Sequence, residues 1–329
     1  MIDDAAAALL SESFRRACGQ GDREAVDAAL SEVGWQDALR SEGLAIVPLA
    51  FAELGTAAAA SSAIDDVLAA SAGLAPDGKT AFVLPAFGTS LPPARLSGGT
   101  VTIRGVGTGR AVMAGTMVVV ANDGHGHRAL AVEPDRMRIR PFEGVDPRFG
   151  LASVECDALD TSQVCDMRPV DWQLVLAVGR VALAWELIGV ARTMLRLARE
   201  HALARVQFHR PVSSFQAVRH RLAESLCAIE GAHAAVSLTT QMAGNAWPPG
   251  LSPYLASVSK ALAGNNARLV ARHSQQVLAG VGFTAEHDFH RYFRRMLTLD
   301  GLTGSARTLT RELGDAALRA RTLASPPGL

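Results

Sequence analysis

The densest group of residues able to do chemistry lies in ARVQFHRPVSSFQAVRHRLAESLCAIEGA, Ala204 to Ala232. A helical pattern stops there for a few residues and then restarts. Pro211 ends the first pattern, and Ser213 with Gln216 three residues on reads as a capping box that opens the second. The same break holds Arg205, Phe208 and Arg210. Such a basic and aromatic cluster, at a corner between two long helices, can hold a phosphate and stack on a planar ring. It can equally leave Phe208 plugging the end of a bundle with the arginines solvated. Two carboxylates pose a similar choice. Glu186 and Asp300 could each act as a base, or each could pair with an arginine inside a bundle. The run HDFHRYFRRM supplies a basic stripe, read as a solvated or interface face.

Three further patterns carry less. GVGTG, Gly105 to Gly109, resembles part of a phosphate loop, but it lies between strands and reads as a hairpin turn. DGHGH, Asp123 to His127, could offer two histidines to a metal; between two strands it reads as a turn. Cys18, Cys156, Cys165 and Cys227 have no metal-ligand spacing. No metal is expected, and the thiols are expected to be reduced, in a cytoplasmic protein with no signal peptide at its acidic N-terminus.

The elements that must position these residues fall into three regions. Residues 1–78 show apolar spacings of three and four broken by Gly or Pro, a helical domain. In 79–162 the period becomes two: TAFVLP, TVTIRGVG, GTMVVVAND, RALAVEP, RMRIRPF and LASVECDAL read as strands. LPPARLSGG, NDGHGH and EGVDPRFG between them read as turns. Strands without intervening helices suggest a small antiparallel barrel or sandwich. In 163–329 the chain is helical again, and VDWQLVLAVGRVALAWELIGVARTMLRLAREHALA can form one helix of about 50 Å. Its apolar run, Leu174 to Ala191, approaches membrane-span length, but Arg180 and Glu186 interrupt it and favour a buried bundle helix. The fold class is therefore α+β, mostly α. A formal net charge of zero over 329 residues gives no reason to expect nucleic acid or an anionic membrane as partner.

RVQFHRPVSSFQAVRHRLAE resembles the segment between two long helices of acyl-CoA dehydrogenases, and HSQQVLAGVGFTAEHDFHRYFRRMLTLD resembles a second segment of that family at the right distance. The order helices, β domain, helices fits as well. The resemblance is specific over 169–300, fair over 30–56 and faint in the β region. It implies the family's fold: an N-terminal helical domain (here shortened by roughly two helices between Gly55 and Thr80), a central β domain and a long four-helix bundle. It also implies FAD-dependent removal of two hydrogens from an acyl-CoA thioester: a carboxylate takes the proton beside the carbonyl, a hydride goes to the flavin, and the electrons pass to an electron-transfer flavoprotein.

In this family FAD lies across a subunit interface. The positions of a neighbour's helical domain that reach adenosine and pyrophosphate match Arg205, Phe208, Gln276 and Gly280 here. By the same resemblance, the usual base position is Thr303, followed by the family's Gly as Gly304, and the alternative base position on the long helix is Gly179, beside a commonly found Arg at Arg180. Both base positions lack a carboxylate, and threonine cannot replace one at neutral pH. The β domain keeps Pro85 and Gly88 of a family stretch but loses its acids, and GVGTG stands where the family places residues against the flavin ring. Half a flavin site kept and half lost is similar to the base-less subunits of actinobacterial heterotetramers, many of which act on bulky or steroid-derived thioesters. The expected partner is then a homologous full-length subunit that shares the FAD. Two alternatives stand beside this reading: a self-sufficient homotetramer whose base is Glu186 or Asp300, and a flavin-free assembly subunit.

Overall fold

A computed structural model describes residues 4–244 and 249–321. Five helices open the chain: α1 Asp4–Cys18, α2 Arg23–Glu32, α3 Trp35–Glu42, α4 Val47–Ala57 and α5 Ala63–Ser71. Eight strands follow: β1 Ala81–Val83, β2 Ala94–Ser97, β3 Thr100–Gly107, β4 Met117–Asn122, β5 His127–Val132, β6 Arg138–Pro141, β7 Ala152–Asp160 and β8 Asp166–Pro169. The bundle comprises α6 Trp172–Ala204, α7 Gln216–Ala243, α8 Pro253–Leu278, α9 Phe289–Gly301 and α10 Ala306–Ala320. A two-stranded hairpin, β9 Val206–Gln207 and β10 Arg210–Pro211, joins α6 to α7.

The strands form one sheet in the order β6-β7-β3-β2-β4-β5-β8, with β1 pairing β4. Period-two alternation sorts the side chains. Val83, Ile103, Val119 and Leu130 make a core private to the sheet. Phe82, Val118 and Val120, one residue out of step, join the main core with the helices. The expectation of an antiparallel sheet needs correction at two pairs, because β1–β4 and β2–β4 are parallel. LPPARLSGG is not a turn: Ala94–Ser97 is a strand, hidden by the flanking prolines and glycines. The sheet also continues past the expected boundary at 162, since β8 pairs with β5. GVGTG is no hairpin turn either. Gly105 and Gly107 lie inside β3 because an added Cβ would strike Val83 and Leu84 at the first and Ala111 at the second. DGHGH is the expected turn, with the Asp123 carboxylate accepting from the backbone N–H of His125 and Gly126.

The long α6 is the axis of the molecule. Asp171 caps it by accepting from the N–H of Gln173 and Leu174. Its most apolar stretch is 94% buried, as expected of a bundle helix. Helix α4 lies directly on α6 because Gly55 and Gly189 face each other's helix. A Cβ on Gly55 would overlap the Glu186 carbonyl, and one on Gly189 the Ala52 carbonyl.

Two ion clusters tie the regions together, and a third braces the bundle. Arg110, after β3, pairs with Asp66 at 2.7 Å and lies near Asp65; both acids are on α5 and buried. Burial pushes the Asp65 carboxyl up to about 7 even with Arg110 and the Thr108 hydroxyl opposing it. Arg295 of α9 joins Asp146 of the β domain, Glu186 of α6 and the Ala59 carbonyl. Asp300 ties α8 to the α9–α10 turn through Arg268.

Candidate functional site

The corner at Arg205 is a tight hairpin. Gln207 pairs with Arg210, and the Val212 N–H donates to the Arg205 carbonyl. The two central residues, Phe208 and His209, have φ of 53° and 65°, the left-handed region that a two-residue hairpin of this hand requires and that glycine usually fills. The turn drives Phe208 outward, where it is 83% exposed, so it does not plug the bundle. Arg210 sits 4.2 Å over the ring of Phe215. The capping box is not formed. Helix α7 begins at Gln216 with Phe215 as its N-cap, Ser213 lies in a 3-10 turn, and the Gln216 amide pairs with His220 instead.

Gln276 and Gly280 come from the other side of the same bundle end. Ala202 of α6, Val218 and Leu222 of α7 and Val277 of α8 pack together there. A Cβ on Gly280 would meet nothing within 4 Å, so that backbone is open to approach from outside. Gln276 lines a cavity of about 730 Å³ between α7 and α8, together with Arg221, Arg272, His273 and Phe283. Arg205 and Phe208 do not line it; they stand on the hairpin at the same end. Phe283 is 80% exposed. Arg221, Arg272, His273 and Phe283 were not singled out as site residues. The arginines are marked only by the basic runs RHR and ARH on two adjoining helices, while His273 and Phe283 bound the first part of the segment HSQQVLAGVGF.

The two positions that the resemblance gives to a base, Gly179 and Thr303, meet in the interior. A Cβ on Gly179 would lie 2.9 Å from Leu68 of α5 and 3.7 Å from the Thr303 methyl. Leu68 therefore occupies the space that a side chain at Gly179 would enter. Thr303 is buried in left-handed backbone, φ 55°, and its hydroxyl has no hydrogen-bond partner among the described residues. The surrounding turn is held from two directions. The Arg180 guanidinium donates to the Thr303 carbonyl and to the hydroxyls of Ser257 and Ser90. The fully buried Lys260 ammonium donates to the carbonyls of Asp300, Leu302 and Gly304 at 3.2, 3.0 and 3.0 Å. Burial pulls Lys260 down to about 7 and Arg180 down to about 10.

Neither weak base candidate faces an open space. Glu186 is pushed up to about 7 by burial, against the pull of Arg295 at 3.4 Å. It borders a void of only about 10 Å³, too small for a substrate. Asp300 accepts from Arg268 at 2.6 Å and from the Ala306 N–H at 3.0 Å, capping α10. The stripe HDFHRYFRRM departs from its expected solvated role, because Arg295 is 1% exposed, between acids, and stacked 4.0 Å over Phe149.

The β-domain side is closed in the same way. Arg23 of α2 lies across Gly109, where a Cβ would overlap its guanidinium. The loop after β1 folds onto the end of α9. There the Gly88 N–H donates to the Gly301 carbonyl at 2.7 Å, and the Phe87 ring covers Gly301. Trp172 donates to the Ser90 carbonyl and fixes the far end of that loop.

Among known proteins, residues 172–318 match the family model described as acyl-CoA dehydrogenase, C-terminal domain. The chain is 35% identical over 190 residues to acyl-CoA dehydrogenase FadE34 of Mycobacterium tuberculosis, covering 57% of this chain and 26% of that protein. It is 32% identical over 179 residues to acyl-CoA dehydrogenase IpdE2 of the same organism, covering 54% and 51%. The match thus spans from about a quarter to about half the length of these relatives. A steroid ACAD, Tcur3481–Tcur3483, has the same fold with a TM-score of 0.81 at 21% identity, covering 96% of this chain and 98% of that one. The ChsE4–ChsE5 complex of M. tuberculosis follows with 0.78 at 20%, each chain 97% covered.

Proposed function

From a chain that belongs to the acyl-CoA dehydrogenase family through residues 172–318 and has that fold throughout, we propose a base-less subunit of a heteromeric acyl-CoA dehydrogenase. The observation that carries this reading is the meeting of Gly179 and Thr303 in the interior, with no carboxylate at either position and Leu68 packed against Gly179.

The family uses FAD, and this chain fits one end of it. Arg205 would pair with the pyrophosphate, Phe208 would pack beside the adenine, Gln276 would donate a hydrogen bond, and Gly280 would let the cofactor approach the backbone. When bound, FAD accepts the hydride from the acyl chain. At the ring end, as the resemblance assigns it, the residues do not fit, since Arg23 lies across Gly109 and Leu68 packs against Gly179. The ring and the proton-accepting carboxylate then belong to a homologous partner subunit, and this chain completes that partner's site in trans. Electrons would leave through an electron-transfer flavoprotein. The steroid ACAD and the ChsE4–ChsE5 complex support a two-subunit assembly and point to a bulky or steroid-derived thioester as substrate.

The test is FAD per chain, measured on the chain alone and on the complex with its partner. No flavin alone and about one FAD per pair supports the proposal. Full flavin and turnover by the lone chain would instead make it a self-sufficient enzyme, with Glu186 and Asp300 to be tried as bases. Flavin in the complex that survives loss of Arg205 and Gln276 would leave this chain a purely structural subunit.

A further inference from the structure

The basic run on α9 has a second use that the cofactor does not absorb. A pocket of about 130 Å³ opens where α9 meets the β-domain segment after β6 and the end of α4. It is lined by Arg148, His290, Arg291, Arg294 and Arg295, with Asp146 its one acid. We propose that this pocket binds a phosphate-type oxyanion, either free phosphate or the phosphoryl group of a small phosphomonoester.

The charge balance carries the argument. Arg295 is committed to Asp146 and Glu186 and forms a fixed wall, while Arg291 reaches Asp288 at 3.3 Å. Among the described residues, no acidic side chain lies within salt-bridge distance of Arg148 or Arg294, and both are exposed. Two guanidinium groups therefore converge on a concave polar site with their charge unmatched. Their planar forks suit the oxygens of a phosphate. His290 and Arg291 occupy the first turn of α9, and Arg291 is balanced by Asp288 at the N-cap, so the unmatched charge is that of Arg148 and Arg294. An anion in this place would also join Arg148 of the β domain to Arg294 of the bundle, clamping the seam that Arg295 already spans. The small concave volume favours a single anionic head group over a protein face.

The proposal stands apart from the cofactor site and is tested by thermal unfolding of the full chain in the assembly it forms. Inorganic phosphate, glycerol phosphate and sodium chloride are compared at matched ionic strength. The phosphate compounds are expected to raise the midpoint by several degrees beyond chloride. The double variant Arg148→Gln/Arg294→Gln is expected to lose that increment while keeping its chloride midpoint. A larger increment with glycerol phosphate identifies a phosphomonoester as the ligand; a larger one with inorganic phosphate identifies the free ion. An equal rise in chloride, or an increment that survives the double variant, overturns the proposal. So does its loss in Arg221→Gln/Arg272→Gln, which would move the anion to the groove between α7 and α8.

Discussion

The centre of this molecule and the far end of its bundle differ in how they are packed. At the centre, three glycines are covered by the chain's own side chains: Gly179 by Leu68, Gly109 by Arg23 and Gly301 by Phe87. At the end, Phe208 and Phe283 project into solvent, and Gly280 has nothing near it. Buried clusters fix the first region, whereas the second makes no use of its best binding groups. The contrast teaches that closure of one site and openness of another are compatible with a single role, that of lending contacts to a neighbour.

Substitutions can break or sharpen this contrast. The largest effect is expected at Arg295→Met, which leaves Asp146 and Glu186 buried without their partner; urea unfolding should show a loss of about 3–5 kcal/mol. Gly55→Ala should come next, at about 2–3 kcal/mol, because its methyl would have to push α4 off α6. If it proves neutral, the two helices are not in the close contact described.

Lys260→Met should cost about 1–3 kcal/mol by leaving three buried carbonyls unpaired. Its pH dependence has a definite sign. The folded-state pKa near 7 lies below the ordinary 10.5, so between those values the unfolded chain binds the extra proton. Wild-type stability should therefore gain on Lys260→Met as pH rises from 7 towards 10.5, and the difference should be flat below 7. A difference that stays flat over that range would mean the ammonium is better stabilised by its carbonyls than burial allows.

At the open end the pattern should invert. Arg205→Ala and Phe208→Ala are expected to change the stability of the chain by under about 0.5 kcal/mol. In the complex they should weaken FAD binding about tenfold or more, equivalent to about 1.4 kcal/mol. Equal losses of stability and flavin would erase the distinction between the regions. The smallest effect is a gain: His209→Gly should stabilise the hairpin by about 0.5–1 kcal/mol, because φ of 65° suits glycine.

The sequence made the bundle legible because its helices are long and strongly periodic; α6 was readable almost residue for residue. It also marked the open end, where motif residues follow one another at fixed spacing. Strand β2 was hidden because prolines and glycines flank a four-residue strand. The Ser213 cap failed because Phe215 and Arg210 stack across the same corner, a tertiary preference stronger than the local one. The filling of the centre could not be read at all. Leu68, Arg23 and Phe87 lie far in sequence from the glycines they cover, and nothing local in an apolar or basic residue says which distant glycine it will meet.

The glycine contact between α4 and α6 also dictates an order of assembly. Gly55 and Gly189 are separated by the whole β domain, so α4 emerges during synthesis long before the surface that covers it. The sheet, with its private core, can close while α4 still waits with its apolar side uncovered. Helix α4 is therefore among the first parts made and the last to be secured, and a nascent chain interrupted before α6 would leave its apolar side uncovered.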